Sequence, residues 1–350
     1  MKTAIGRAQM RVRRGAARPP RLPRAAAAVL LALFLLMPGA SATAQGAASG
    51  KPVRIGRLSP LSAATDAPHL EAFRTALREL GWREGADFVI EGRFADGRPE
   101  RLAALAADLV RQRVDLILVG STPGALAVKK ATGSIPVVMV TTGDPVEGGI
   151  VASLARPGGN ITGVTGLAQV LNAKRLELLK EALPGVSRVA VLVNPTSPYT
   201  PPFMQEREGT GRTLGLALPV HEVRDPGGIE RGVQAIAADR PGAVMVLTDV
   251  MFITERPRIV DLLTRARLPA VYPEREFVDA GGLMFYGASL ASLYRHAAVY
   301  ADRILKGARP ADLPVEQPTT LELIVNLKAA KAIGLTLPPS VLSRADRVVE

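Results

Sequence analysis

The sequence predicts an α/β protein of two doubly wound parallel-sheet lobes joined by a hinge. Three observations carry this. Apolar, β-branched runs such as VDLILV (114–119), RVAVLV (188–193) and AVMVL (243–247) end abruptly on glycine or polar residues. Runs apolar at every position suit parallel strands covered on both faces. Amphipathic segments of helical period separate these runs, and strand–helix alternation dictates a parallel sheet with right-handed crossovers. Finally, five strands and four helical segments are complete by Gly166, after which the pattern restarts.

In order, residues 51–59 form the first strand and its polar exit. A helix over 68–80 carries Leu70, Phe73, Leu77 and Leu80 at spacings of three and four, and Gly81 ends it. Residues 88–94 are a second strand, with Glu91 and Arg93 alternating out of its apolar face. Pro99 opens a helix carrying Leu102, Leu105 and Leu109. The third strand, 114–119, leads through Gly120 to a helix capped by Thr122 and begun by Pro123, whose missing N–H costs nothing there. Gly133 is the expected stop. After a strand at 136–140, Asp144-Pro145 repeats the cap-then-proline order and predicts a helix over 146–154 despite Gly148-Gly149. RPGGN (156–160) is a turn, and 161–166 the fifth strand.

The restart predicts a helix over 173–183 and a strand over 188–194. A proline-rich mobile loop follows at 195–202, then a helix, a strand at 219–223 and a helix at 228–238. The strand 243–249 again ends on a polar exit. A helix to about residue 267, a strand at 269–272, a short helical turn at 274–280, a strand at 283–286 and a long helix over 290–305 complete the pattern.

Residues 1–24 hold Lys2, Arg7, Arg11, Arg13, Arg14, Arg18, Arg21 and Arg24 and no acid. An apolar run over 25–37 follows, shorter than the ~20 residues of a membrane span. Ala40-Ser41-Ala42 and Ala42-Thr43-Ala44 then fit small-residue cleavage. This succession predicts a signal peptide over residues 1–44 and a periplasmic mature chain with no stable membrane insertion. Setting aside those eight cations lowers the formal charge from +12 to +4, which leaves no nucleic-acid footprint. The chain has no cysteine, so disulfides, thiolate metal sites and a cysteine nucleophile are excluded.

No catalytic constellation is visible, and no cofactor or metal is expected. His69, His221 and His296 make no metal-binding spacing, and they suit satisfied or solvent-facing roles on two helices and a strand. The glycines at 148 and 158 lack the strand–GxGxxG–helix context, and no GxxxxGK[ST] or GxSxG occurs. Ligands of open α/β sheets bind outside the carboxyl ends of strands, and a cleft between lobes favours them further. That rule selects Ser59, Ser121, Thr122, Thr142 and Asp144 from the first half and Asn194, Asp249 and Glu274 from the second. Hydroxyls and helix N-terminal N–H groups suit a carboxylate, and Asp144 or Asp249 an ammonium. Capping alone is the competing role for Ser121, Thr122 and Asp144. Tyr199, Tyr272 and Tyr286 are candidate apolar walls, with packing the competing role.

Six stretches carry a family likeness: EAFRTALRELGWREG, GRPERLAALAADLV, IPVVMVTTGDPVEGGIVASLARPGGNITG, KRLELLKEALPGVSRVAVLVNP, REFVDAGGLMFYG and LKGARPADLPVEQPTTLELIVNLKAAKAIGLTLPPS. Together they resemble the ABC-transporter substrate-binding proteins of the type I periplasmic binding fold, in the subgroup that includes apparent aromatic amino-acid binders. The resemblance implies a secreted receptor that captures a small organic ligand, such as an amino acid, by hinge closure. It would deliver that ligand to an ABC permease with separate ATPase subunits. The alternative is a sensing module that presents its bound state to a membrane receptor. The resemblance also implies a first lobe of 51–166 completed by about 290–316, and a second of 167–289 completed by about 317–350. Two positions depart from the family's pattern: Asp249-Val250, where it often reads Asp-Pro, and Glu274, where a small polar residue often follows Tyr-Pro.

Overall fold

A computed structural model describes residues 51–141, 143–166 and 170–350, so the expected signal peptide lies outside the described residues. The first sheet contains β1 (Val53–Ser59), β2 (Phe88–Phe94), β3 (Leu116–Val119), β4 (Val137–Thr141) and β5 (Ile161–Thr165). All pair in parallel, in the order β2-β1-β3-β4-β5. Leu116, Leu118, Val138 and Val140 face one layer, and Ile117, Val119, Val137 and Met139 the other. Both faces are covered, so these strands carry no polar alternation. Phe73 and Leu77 of α1 (Ala63–Glu79) pack on the first layer. Leu102, Ala106 and Leu109 of α2 (Leu102–Arg111) and Ala125 and Val128 of α3 (Thr122–Ala131) pack on the second.

The second sheet holds β6 (Val189–Val193), β7 (Val220–Glu222), β8 (Ala243–Val246), β9 (Ala270–Tyr272), β10 (Met284–Gly287), β11 (Glu322–Asn326) and β12 (Arg347–Val349). Its order, β7-β6-β8-β9-β10-β11-β12, begins as the first sheet does, with one strand to the left of the starting strand and the rest to the right. One face is covered by α4 (Asn172–Ala182) and α5 (Thr200–Leu214). The other is covered by α6 (Ile229–Ala238), α7 (Val250–Thr254), α8 (Arg256–Arg265) and α9 (Glu276–Asp279).

The long helix α10 (Leu290–Leu305) belongs to the first sheet. Its Leu293, Ala297, Tyr300 and Ile304 join Phe73, Leu77 and Val138 in one core. The chain therefore passes between sheets after β5, returns between β10 and α10, and crosses again after Glu316, which pairs with Val164 at the edge of β5. It then adds β11, α11 (Leu327–Ala332), α12 (Pro339–Leu342) and β12 to the second sheet. Because β11 enters from the other lobe, it runs antiparallel to β10, the one departure from parallel pairing among the described strands. No helix among the described residues is long and apolar enough to cross a membrane.

Four local expectations need correction. Ser62 caps α1, accepting from the Thr65 N–H, so Pro68 lies inside the helix rather than opening it. Ser121, not Thr122, caps α3: its extended backbone aims Oγ at the Gly124 N–H, 3.0 Å away, and the helix ends at Ala131, before Gly133. Residues 145–154 are turns instead of a helix. The Asp144 carboxylate takes the Val146 and Glu147 N–H groups at 2.7 and 3.1 Å, and Gly149 adopts a left-handed φ of 66°. The proline-rich segment at 195–202 is a short turn running into α5, where Pro201 and Pro202 occupy first-turn positions that need no N–H.

Candidate functional site

In both sheets the chain goes from its starting strand to a neighbour on one side, then resumes on the other. Loops after β1 and β3, and after β6 and β8, therefore diverge and leave a crevice at each carboxyl edge. The two crevices meet in one cavity. The first lobe lines it with Pro60, Leu61, His69, Gly120, Ser121 and Val140, together with Leu290 and Tyr294 of α10. The second lobe supplies Tyr199, Thr248, Val250, Ile253 and Glu274. Among the described residues, two side-chain hydrogen bonds cross between lobes: the Tyr199 hydroxyl to Thr122 Oγ1 at 3.1 Å, and His69 Nε2 with Glu276 Oε1 at 2.9 Å.

Polar groups of the first wall are largely engaged with one another. Arg57, fully buried in the middle of β1, donates from Nε and Nη2 to the Asp66 carboxylate at 2.9 and 2.5 Å. Its Nη2 also reaches the Tyr294 hydroxyl at 2.6 Å, while Nη1 is buried with no hydrogen-bond partner among the described residues. Ser59 Oγ donates to Asp66 at 2.9 Å and accepts from the Leu61 N–H. Burial disfavours the Asp66 charge, but the Arg57 guanidinium and these hydrogen bonds outweigh it and hold the carboxyl well below its usual range. Gly120 lies against this cluster. A Cβ there would fall 2.0 Å from the Tyr294 hydroxyl and 2.6 Å from Arg57 Nη2, so any other residue at the end of β3 would have to displace that buried pair.

The second wall differs. Glu274, just beyond β9, is 3 % exposed, and neither carboxylate oxygen has a hydrogen-bond partner among the described residues. Burial pushes its pKa up to about 8, against the pull of Arg175 and a weaker one from the Thr248 side chain beside it. Arg175, buried on α4, donates from Nε to the Tyr286 carbonyl and from Nη1 to Asn172 Oδ1, both at 2.8 Å. Burial lowers it to about 10, opposed by the Glu274 charge.

Among the residues expected from sequence, Ser121 and Glu274 line the cavity. Ser59 and Thr122 lie beside it with hydroxyls already committed, Ser59 to Asp66 and Thr122 to Tyr199. Asp144 is exposed, lies outside the cavity lining, and closes its own turn. Asn194 and Asp249 brace each other: Asn194 Nδ2 donates to Asp249 at 3.2 Å, and Asp249 caps α7 through the Met251 N–H at 2.9 Å. Burial raises the Asp249 pKa against those bonds. Thr142 lies outside the described residues. Of the tyrosines, Tyr199 lines the cavity, whereas Tyr272 is buried against Phe277 and Tyr286 packs against the second-lobe core.

Arg57, Asp66, His69, Tyr294 and Glu276 were not among the expected residues. Arg57 had a signal, a charge inside a strand of a two-face-buried sheet, which requires a partner. His69 is buried at the lobe contact rather than merely satisfied on its helix. No group of acidic or histidine side chains among the described residues could hold a metal ion.

Comparison with known proteins fits this geometry. Residues 59–349 match the family model described as ABC transporter substrate binding protein. A tyrosine-binding protein of Clostridioides difficile (strain R20291) is 25% identical over 265 residues, 76% of each chain. The structure of an ABC domain from Streptococcus pneumoniae in complex with L-Trp matches with a TM-score of 0.75 and 27% identity. That match covers 84% of this chain and 100% of the other. A conserved domain protein from Vibrio cholerae shares the fold, with a TM-score of 0.79 and 24% identity over 85% of this chain and 100% of its own. With five-sixths of its length matched by the family model, the chain belongs to the ABC transporter substrate binding protein family.

Proposed function

We propose that this protein is an extracytoplasmic receptor for an amino acid with an apolar, aromatic side chain, which it delivers to an ABC permease with separate ATPase subunits. The observation that carries the reading is Glu274, a buried carboxylate in the interlobe cavity with no hydrogen-bond partner for either oxygen among the described residues. A ligand ammonium would fill that need, because a buried charge is stable only when paired. Opposite it stand the capped start of α3 at Ser121 and, behind Gly120, the unpartnered Nη1 of Arg57. Helix N-termini and guanidinium groups both favour a carboxylate. Leu61, Val140, Tyr199, Ile253, Leu290 and Tyr294 surround the rest of the cavity with apolar surface and two rings. The tyrosine-binding and L-Trp-bound relatives support the same ligand class. Of the eight residues expected from sequence, Ser121 and Glu274 are retained as ligand contacts, and Thr122 is retained through its bond to Tyr199.

A thermal-shift panel of the natural amino acids tests the reading. At a hundred times its dissociation constant a ligand stabilises by ~2.7 kcal/mol. Phenylalanine, tyrosine or tryptophan should raise the melting temperature, and acidic amino acids should not. A panel in which sugars shift the protein and no amino acid does would overturn it.

A further inference from the structure

We propose that His69 and Glu276 form an interlobe latch that holds the cleft shut while His69 is protonated and releases it when His69 is neutral. The inference rests on reading the cleft as one that opens and closes, and it adds a regulator of that motion.

The geometry is specific. His69 comes from α1 of the first lobe and Glu276 from α9 of the second, so their 2.9 Å contact exists only when the lobes meet. Each ring nitrogen of His69 faces a carboxylate: Glu276 lies at Nε2, and Asp66, on the same helix, lies 3.9 Å from Nδ1. A neutral imidazole carries one N–H, so it must turn a lone pair toward one of the two acids. The imidazolium offers a proton to each. The ring is fixed for this role, stacked on Tyr294 of α10 with centroids 5.1 Å apart and planes 7° from parallel.

Other charges around the ring do not cancel the effect. Asp66 is neutralised from the far side by Arg57 of β1. Arg256, Arg275 and Asp279 line the same surface opening and approach His69 only on closure; Asp279 pairs with Arg275 at 3.5 Å, which leaves Arg256 as the cation that opposes the imidazolium there. Glu274 also belongs to that lobe, and the Glu276 charge helps burial to raise its pKa. Burial opposes protonation of His69, yet the two carboxylates outweigh it and raise its pKa in the closed form. Opening removes Glu276 and with it part of that rise. Closure therefore takes up a proton: it is favoured below the pKa of the open form and weakens as pH rises through that of the closed form.

The chain lacks cysteine, so spin labels placed by Lys130→Cys on α3 and Asp261→Cys on α8 report one lobe-to-lobe distance. This is measured on the ligand-free protein in a Glu274→Gln background, which keeps the latch separate from ligand identity and from the titration of Glu274. From about pH 5.5 to about pH 8.5 the short-distance population should fall several-fold. Glu276→Gln, which keeps the contact and removes the charge, and His69→Gln should each flatten that dependence with the circular dichroism spectrum retained. A distance distribution that does not change with pH when both latch residues are intact, or one that still changes in both variants, would overturn the latch. Amino-acid binding in the thermal-shift panel could stand in either case.

Discussion

The two walls of the cavity treat charge in opposite ways. In the first lobe, Arg57 and Asp66 are buried as a pair, bidentate and supported by Ser59 and Tyr294. In the second, Glu274 is as deeply buried, yet Arg175, the cation that pulls on it, donates to the Tyr286 carbonyl and to Asn172. The first arrangement is a paired scaffold in which one atom, Arg57 Nη1, is left open. The second is an unmet electrostatic demand, of the kind proteins retain at functional sites. The contrast says which wall is framework and which waits for something.

Neutralising one charge on each wall should therefore have effects of opposite sign. Arg57→Met strands Asp66 and should cost ~3–5 kcal/mol, as breaking a buried pair does. Glu274→Gln should instead stabilise the ligand-free protein at neutral and alkaline pH. The sign follows from the pKa: a carboxyl raised to about 8 in the fold binds its proton more tightly there than in the unfolded chain. Stability is then lost as pH rises from the ordinary carboxyl range toward about 8. Denaturant titrations between those limits should slope downward in the parent and flatten in Glu274→Gln. Destabilisation by both substitutions would remove the distinction between the walls.

Smaller effects sharpen the comparison. Ser121→Ala removes the α3 cap and should cost ~1 kcal/mol of stability. Tyr199→Phe removes a bond that exists only with the lobes together, so chemical stability should hardly change while ligand dissociation quickens by a few-fold, an effect of ~1 kcal/mol. Stopped-flow release combined with melting curves separates the two. Equal losses in both measurements for Tyr199→Phe would mean that the Thr122 contact is not specific to closure.

Much of the fold was legible because strands buried on both faces leave unbroken apolar runs, as in LILV and VAVLV. The crossings were not, since no periodicity marks Leu290 as the start of a helix returning to the first sheet. They came from the family likeness. β11 was missed for a related reason: its ELIVN run has only three apolar residues between Glu322 and Asn326, and its antiparallel pairing depends on where the chain re-enters. The helix expected at 146–154 failed at Gly149, whose left-handed φ of 66° breaks the turn that the Asp144 carboxylate starts.

The site was partly legible through the rule that ligands gather at strand ends. That rule reaches two residues of the cavity lining, Ser121 and Glu274, but it cannot tell a side chain that lines the cavity from one committed beside it. Ser59, Asn194 and Asp249 are polar at strand ends because they brace loops and helix starts. Conversely, His69 and Tyr294 sit within helices far apart in sequence, and only the return of α10 to the first lobe brings them together.

The central claim is that Glu274 receives the ligand's ammonium. Calorimetric titration of the parent protein and Glu274→Gln with L-phenylalanine and with its deaminated analogue, 3-phenylpropionate, tests it most directly. A charge-assisted hydrogen bond is worth ~1.5–3 kcal/mol, so the parent should prefer the amino acid by roughly ten- to a hundred-fold. Glu274→Gln should lose most of that preference. Equal affinity of the parent for both compounds, or an undiminished preference in Glu274→Gln, would contradict the account.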